Sequence, residues 1–184
     1  PDADAMEAEL KLSQLRWTEA ARLASRALDT LPTDEVDNDK ITLAAARLHL
    51  GNSKEAKTLC TEVLEAARRN QDIEQTAEGN MALAEVLIVE NDWKAAAIAA
   101  ESAFQVFAGA DETELQWFAL HYLSQVAAGE KDLVNSKKYA QQALDLLSQF
   151  EHNWEASLFQ SYIERPDVKE ARRQLLRAIG GELK

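Results

Sequence analysis

One arrangement of residues recurs five times along this chain, and it restricts the fold more than any other feature. Its clearest copy runs from Arg16 to Pro32, where Trp17 opens an amphipathic stretch, Ala20, Ala24 and Ala27 follow at helical spacing, and Leu28 backs them. Ala20 and Ala27 are two helical turns apart and so share one face, on which small side chains let a neighbouring helix approach closely. The design returns at Ser53, Ala56, Cys60, Val63, Leu64, then at Trp93, Ala96, Ala100, Ala103, Phe104. Two further copies are Leu133, Ser136, Ala140, Ala143, Leu144 and Val168, Ala171, Leu175, Ala178, Ile179. The steps Ala20–Ala56–Ala96–Ser136–Ala171 are 36, 40, 40 and 35 residues. Self-similarity at such a period is the signature of units that cannot bury their apolar faces alone and must stack.

Composition agrees with an all-helical chain. Alanine and leucine abound, β-branched runs are absent, and Gly plus Pro amount to nine of 184 residues. Each unit reads as two helices. The expected helices are Ala3 to Gln14, Arg16 to Leu31, Val36 to Leu50, Ser53 to Asn70, Ile73 to Glu90, Trp93 to Ala108, and from the Asp111 turn to Ala128. They continue with Leu133 to Phe150, Asn153 to Glu164 and Asp167 to Ile179. Pro32-Thr33-Asp34 breaks the first pair from the second, Gly51-Asn52 offers a left-handed turn position, and Ser53 is expected to cap the following helix. Asp72-Ile73-Glu74-Gln75 and Asp111-Glu112-Thr113-Glu114 read as capping boxes, and Gly180-Gly181 as a stop. Links of a few residues force consecutive helices antiparallel. The expected division is one repeat domain over 1–184, with units of about 1–34, 35–71, 72–110, 111–150 and 151–184.

Charge excludes several classes of partner. The net charge of −12, with basic residues scattered as pairs such as Arg68-Arg69, Lys137-Lys138 and Arg172-Arg173, opposes nucleic acid and anionic membrane surfaces. The longest apolar run, Ala95 to Ala100, is far short of the about 18 residues that span a bilayer. A lone cysteine, Cys60, rules out an internal disulfide framework and fits a reducing, cytoplasmic setting. Its register position is a buried one, which favours packing over a reactive thiol. The chain begins with Pro1 and reads as a piece of something longer.

The residues Arg16-Trp17, Ala20, Ala24, Ala27 and Pro32, together with Asn91-Asp92-Trp93, Ala96, Ala100 and Ala103, resemble the second helix of the tetratricopeptide repeat (TPR) family. Leu43-Ala44, Leu83-Ala84 and Leu123-Ser124 fit that family's large-small pair in first helices. Ser53, Ser136 and Pro166-Asp167-Val168 depart from the pattern, and periods near 40 imply helices longer by about a turn than the family's usual unit. The resemblance implies a right-handed superhelix of antiparallel helix pairs, an α-solenoid whose first helices line a concave surface. Carried over residue by residue, it places Asn38, Ile41, Ala45, Leu48 and His49 of the second unit on that surface. It adds Glu78, Met81, Glu85 and Ile88 of the third, Phe118, His121, Tyr122 and Gln125 of the fourth, and Asn153, Ser157 and Gln160 of the fifth.

Nothing in the sequence draws a catalytic or cofactor site. His49, His121 and His152 lie far apart with no second His at i±3 or i±4 to make a metal pair on one helix, and no glycine-rich loop could cradle a phosphate. The expectation is therefore a non-enzymatic, cofactor-free scaffolding or signalling module that binds a protein segment carrying apolar anchors and a basic residue. Positions used by chaperone-associated members of the family to hold acidic tails read Ala5, Glu9, Glu78 and Ala82, so such tails should meet like charge. The rival readings are structural self-association through the end repeats and a small-molecule-sensing regulatory domain.

Overall fold

A computed structural model describes residues 3–30 and 37–180, and every regular element among them is a helix. The elements are α1 (Ala3–Ser13), α2 (Trp17–Thr30), α3 (Asp37–His49), α4 (Ser53–Asn70) and α5 (Ile73–Val89). They continue as α6 (Trp93–Gly109), α7 (Thr113–Gly129), α8 (Leu133–Asn153), α9 (Ala156–Ile163) and α10 (Pro166–Ile179). The expected break at Pro32-Thr33-Asp34, the helix start at Val36, and Pro1 and Gly181 lie outside the described residues.

The recurrent row of small residues forms the seams. Ala20, Ala56, Ala96 and their partners Ala24, Cys60 and Ala100 are fully buried, and Ser136 and Ala171 nearly so. Ser136 replaces the usual alanine without leaving a polar atom stranded, because the Ser124 hydroxyl donates to the Ser136 carbonyl at 2.9 Å and lies 3.3 Å from its Oγ.

A two-residue device makes most of the tight turns. Gly51, Gln71, Asn91, Asp111 and Lys131 each adopt a left-handed φ of 57–85°. The next residue sends its N–H back five positions, as in Asp92 N–H to the Leu87 carbonyl at 2.9 Å. In four cases that residue also caps the following helix: Asn52, Asp72, Asp92 and Asp132 accept from the N–H three residues on. Two expectations are corrected here. Asn52, not Ser53, caps α4. No capping box forms at Asp111, which itself takes the left-handed position, leaving Glu112 as a cap without a side-chain bond.

Helices α1 to α8 pack as consecutive antiparallel pairs, and each first helix also touches the next one: α1 on α3, α3 on α5, α5 on α7. The second helices do not touch one another. Contact confined to one layer curves the stack, with the first helices inside. The last pair departs from this order. Helix α8 runs to Asn153 rather than Phe150, because Trp154 stacks on Phe150 at 4.7 Å and meets the Tyr162 ring edge-on at 5.4 Å, turning the chain there. The expected helix from Asn153 to Glu164 shrinks to the eight residues of α9, whose backbone approaches α8 and α10. Helix α10 instead packs on α8 and α7, the place a further first helix would take, and reaches across to α1.

Candidate functional site

The inner layer encloses a cavity of about 570 Å³. Five helix surfaces build it, because residues one or two turns apart on each inner helix fall on the same concave side. Ala45 and His49 come from α3, Glu85, Ile88 and Val89 from α5, and Phe118, His121, Tyr122 and Gln125 from α7. Helix α1 adds Glu9, Leu12 and Ser13, Leu15 and Trp17 follow from the first turn, and α10 closes the far side with Arg165, Asp167, Glu170, Ala171 and Gln174.

Glu85 sits at the centre of its polar contacts. The Nε2 of His49 lies 3.1 Å from Glu85 Oε1, and the Trp17 indole stacks on the His49 ring at 4.0 Å. That bond raises the His49 pKa above its ordinary value, against the opposing effect of burial. Burial, together with the nearby Glu85 carboxylate, holds the Tyr122 hydroxyl protonated far above the usual phenol range. Two further carboxylates on the inner helices, Glu9 and Glu78, have raised pKa values, chiefly from burial and then from neighbouring acids. No hydrogen bond or ion pair to either is found among the described residues.

A relay from α10 fixes the tautomer of His121. The Glu170 carboxylate can only accept, so it takes the Gln174 side-chain N–H at 3.0 Å and turns Gln174 Oε1 toward His121 Nε2 at 2.9 Å. Nε2 therefore carries the proton, while burial holds the ring neutral. Nδ1 is left as a buried acceptor without a partner. The Gln125 amide, 3.1 Å from the same Nε2, belongs with its oxygen on that side. Arg165 is fully engaged: it forks onto Asp167 at 2.7 and 3.2 Å, approaches Glu114 at 3.4 Å and lies 5.2 Å from the centre of the Tyr162 ring. Four carboxylates and one committed arginine leave the cavity an acidic, aromatic-lined space.

The residues expected on the concave surface divide evenly. Ala45, His49, Glu85, Ile88, Phe118, His121, Tyr122 and Gln125 converge on the cavity. Leu48 is buried with Ala44, Ala56, Cys60 and Val86, and Met81 packs on Ala77, Ala103 and Phe107. Ile41 and Glu78 are half-buried outside the cavity lining, and Asn38 is exposed. Asn153, Ser157 and Gln160 are exposed as well, since α10 has taken the inner place that the fifth unit's first helix was expected to hold. The α1 contributors were within reach of the same repeat register; those of α10 were not, because their placement depends on contacts with distant helices.

Among the described residues no group of three or more His, Cys, Asp or Glu side chains could hold a metal ion, and no helix is long and apolar enough to cross a membrane. The sequence matches no family model and no curated protein. Solved structures do share its fold. The nearly identical TPR-like repeats of a Podosopora anserina chain assigned as a kinesin light chain superpose on 97% of this chain and 84% of their own, with a TM-score of 0.63 at 15% identity. A single-substitution variant of that protein gives 0.64 over the same shares, also at 15% identity. The fold is thus a TPR-like repeat array.

Proposed function

We propose that this TPR-like array is a protein-interaction module whose inner cavity receives a short segment of a partner, with an apolar anchor on the aromatic wall and a basic side chain directed at Glu85. The observation carrying this reading is the convergence of Trp17, Phe118 and Tyr122 with Glu9, Glu85 and Glu170 on one space. Aromatic faces and carboxylates together attract an ammonium or guanidinium carried on an apolar stem. Aromatic anchors ringed by polar groups are also where binding energy concentrates. The net charge of −12 speeds the approach of a cationic segment at low salt.

The test is selection from a peptide library that places Lys, Arg, Gln or Glu between apolar residues, followed by calorimetry. Selected peptides should carry a cation, and Glu85→Gln should weaken them about tenfold or more while the variant keeps its helical circular dichroism. Binders without a cation, or binding indifferent to Glu85→Gln, would overturn the proposal. A second reading draws on the way α10 bounds the cavity: about 570 Å³ falls within the range of small-molecule sites. A free organic amine that raises the melting temperature, with no peptide selected, would favour that reading.

A further inference from the structure

Two pairs of neighbouring apolar side chains stand exposed toward the two ends of the described helices. Interior units bury both flanks against neighbours, whereas terminal helices need a polar outer side to stay in water. On α1, Met6 and Leu10 are 59% and 53% exposed. They lie one turn apart with exposed Ala3 beyond them, and helical geometry sets Glu7 and Glu9 on opposite sides of the stripe. At the other end, Leu133 and Val134 open α8 at 72% and 80% exposure. They adjoin a shallow groove of about 700 Å³ between the first turns of α8 and the last turns of α10. Lys137, Arg177, Ala178 and Ile179 line that groove, and among the described residues no carboxylate does. Lys137 forms no ion pair among the described residues, and Arg177 senses Glu170 only through space.

Charge divides between the ends in the same sense. Residues 1–130 hold 24 carboxylates against 11 Lys and Arg, whereas residues 131–184 hold eight against nine. We propose that α1 of one copy seats its Met6–Leu10 stripe in the α8/α10 groove of a second copy, with Glu7 and Glu9 facing Lys137 and Arg177. Glu7 already meets Lys11 at 3.3 Å, and its own side chain is half exposed and open to a second cation. The contact is heterologous, each copy offering one donor and one acceptor surface. The symmetric alternatives are disfavoured by charge, since stripe on stripe opposes Glu7 to Glu9, and groove on groove opposes Lys137 to Arg177. So small a contact gives a weak assembly.

Sedimentation equilibrium over a wide concentration range tests this. The average mass of the unmodified chain should rise with concentration, less so at high salt. Lys137→Glu with Arg177→Glu disables the groove, and Met6→Glu with Leu10→Glu disables the stripe; each doubly substituted chain alone should stay monomeric while keeping its helical circular dichroism. Mixed, the two should form a 1:1 dimer and nothing larger, because one intact stripe and one intact groove remain. A chain monomeric at every concentration, a mixture that fails to associate, or self-association surviving in either variant would each overturn the proposal.

Discussion

His49 of α3 and Glu85 of α5 meet across two repeat units, imidazole Nε2 to carboxylate Oε1 at 3.1 Å, with the Trp17 indole laid against the imidazole. Because the bond to Glu85 raises the His49 pKa above 6.5, the folded state holds that proton more tightly than the unfolded chain. The stabilisation is complete below about pH 6.5 and is lost as pH rises through the folded value. His121, whose pKa burial lowers, works in the other direction, its contribution fading as pH falls below 6.5. Subtracting a Glu85→Gln series removes the burial-driven part of that background, and the smaller pull of Glu85 on His121 acts in the same sense as its bond to His49. The unfolding free-energy difference between the two proteins should be largest near pH 6 and shrink by pH 8; a flat difference would sink the assignment. Proton titration followed by NMR should also find the His49 pKa lowered in Glu85→Gln.

Gly109 and Gly129 end α6 and α7, and alanine should have opposite effects at the two. A Cβ on Gly129 would lie 2.6 Å from three ring atoms of Trp93, so the indole or the helix end must move. Gly129→Ala should cost ~1–3 kcal/mol through overpacking. Nothing lies within 4 Å of a Cβ on Gly109, so Gly109→Ala should stabilise by up to ~1 kcal/mol through helix propensity. Urea unfolding of both variants decides it, and equal effects would contradict the close approach of Trp93.

Trp117 is fully buried and its indole N–H donates to the Tyr162 hydroxyl at 2.8 Å, joining α7 to α9. Tyr162→Phe strands that N–H and should cost ~1–3 kcal/mol. Removing both partners, as Trp117→Phe with Tyr162→Phe, leaves no stranded donor. The double variant should therefore be more stable than the sum of the single losses implies, which a double-mutant cycle measures directly.

Cys60 lies at zero exposure, and burial pushes its thiol up to about 12. Alkylation by iodoacetamide at pH 8 should be negligible in the native protein and complete in denaturant, since the thiolate is the reactive form. Rapid labelling under native conditions would mean that the α4 seam opens readily.

Much of this structure could be read from residue spacing, because helix pairing is a local matter. The row Ala20, Ala56, Ala96, Ser136 and Ala171 located the buried seams directly. Spacing is blind to degree, however. Ala99, outside that row, is only 6% exposed, and the open position on the same helix is Ile98 at 73%. The approach of α10 to α7 and the pairing of His49 with Glu85 link residues remote in sequence, which no periodicity encodes. The shortening of α9 depends on the mutual packing of Phe150, Trp154 and Tyr162, three aromatics whose separation along the chain says nothing of their meeting.

The touch between α1 and α10 has a consequence in time. An open stack can grow from any unit by adding neighbours, at little entropic cost per step. Bringing the first helix against the last closes a loop of nearly the whole chain, and that entropy must be paid before the contact returns anything. The bridge should form last as the protein folds and open first as it loosens. Opening it parts the α1 and α10 walls of the cavity while Glu85 and Tyr122 stay fixed between α5 and α7. In hydrogen exchange, amides of α1 and α10 should therefore trade with solvent well before those of α5 to α7.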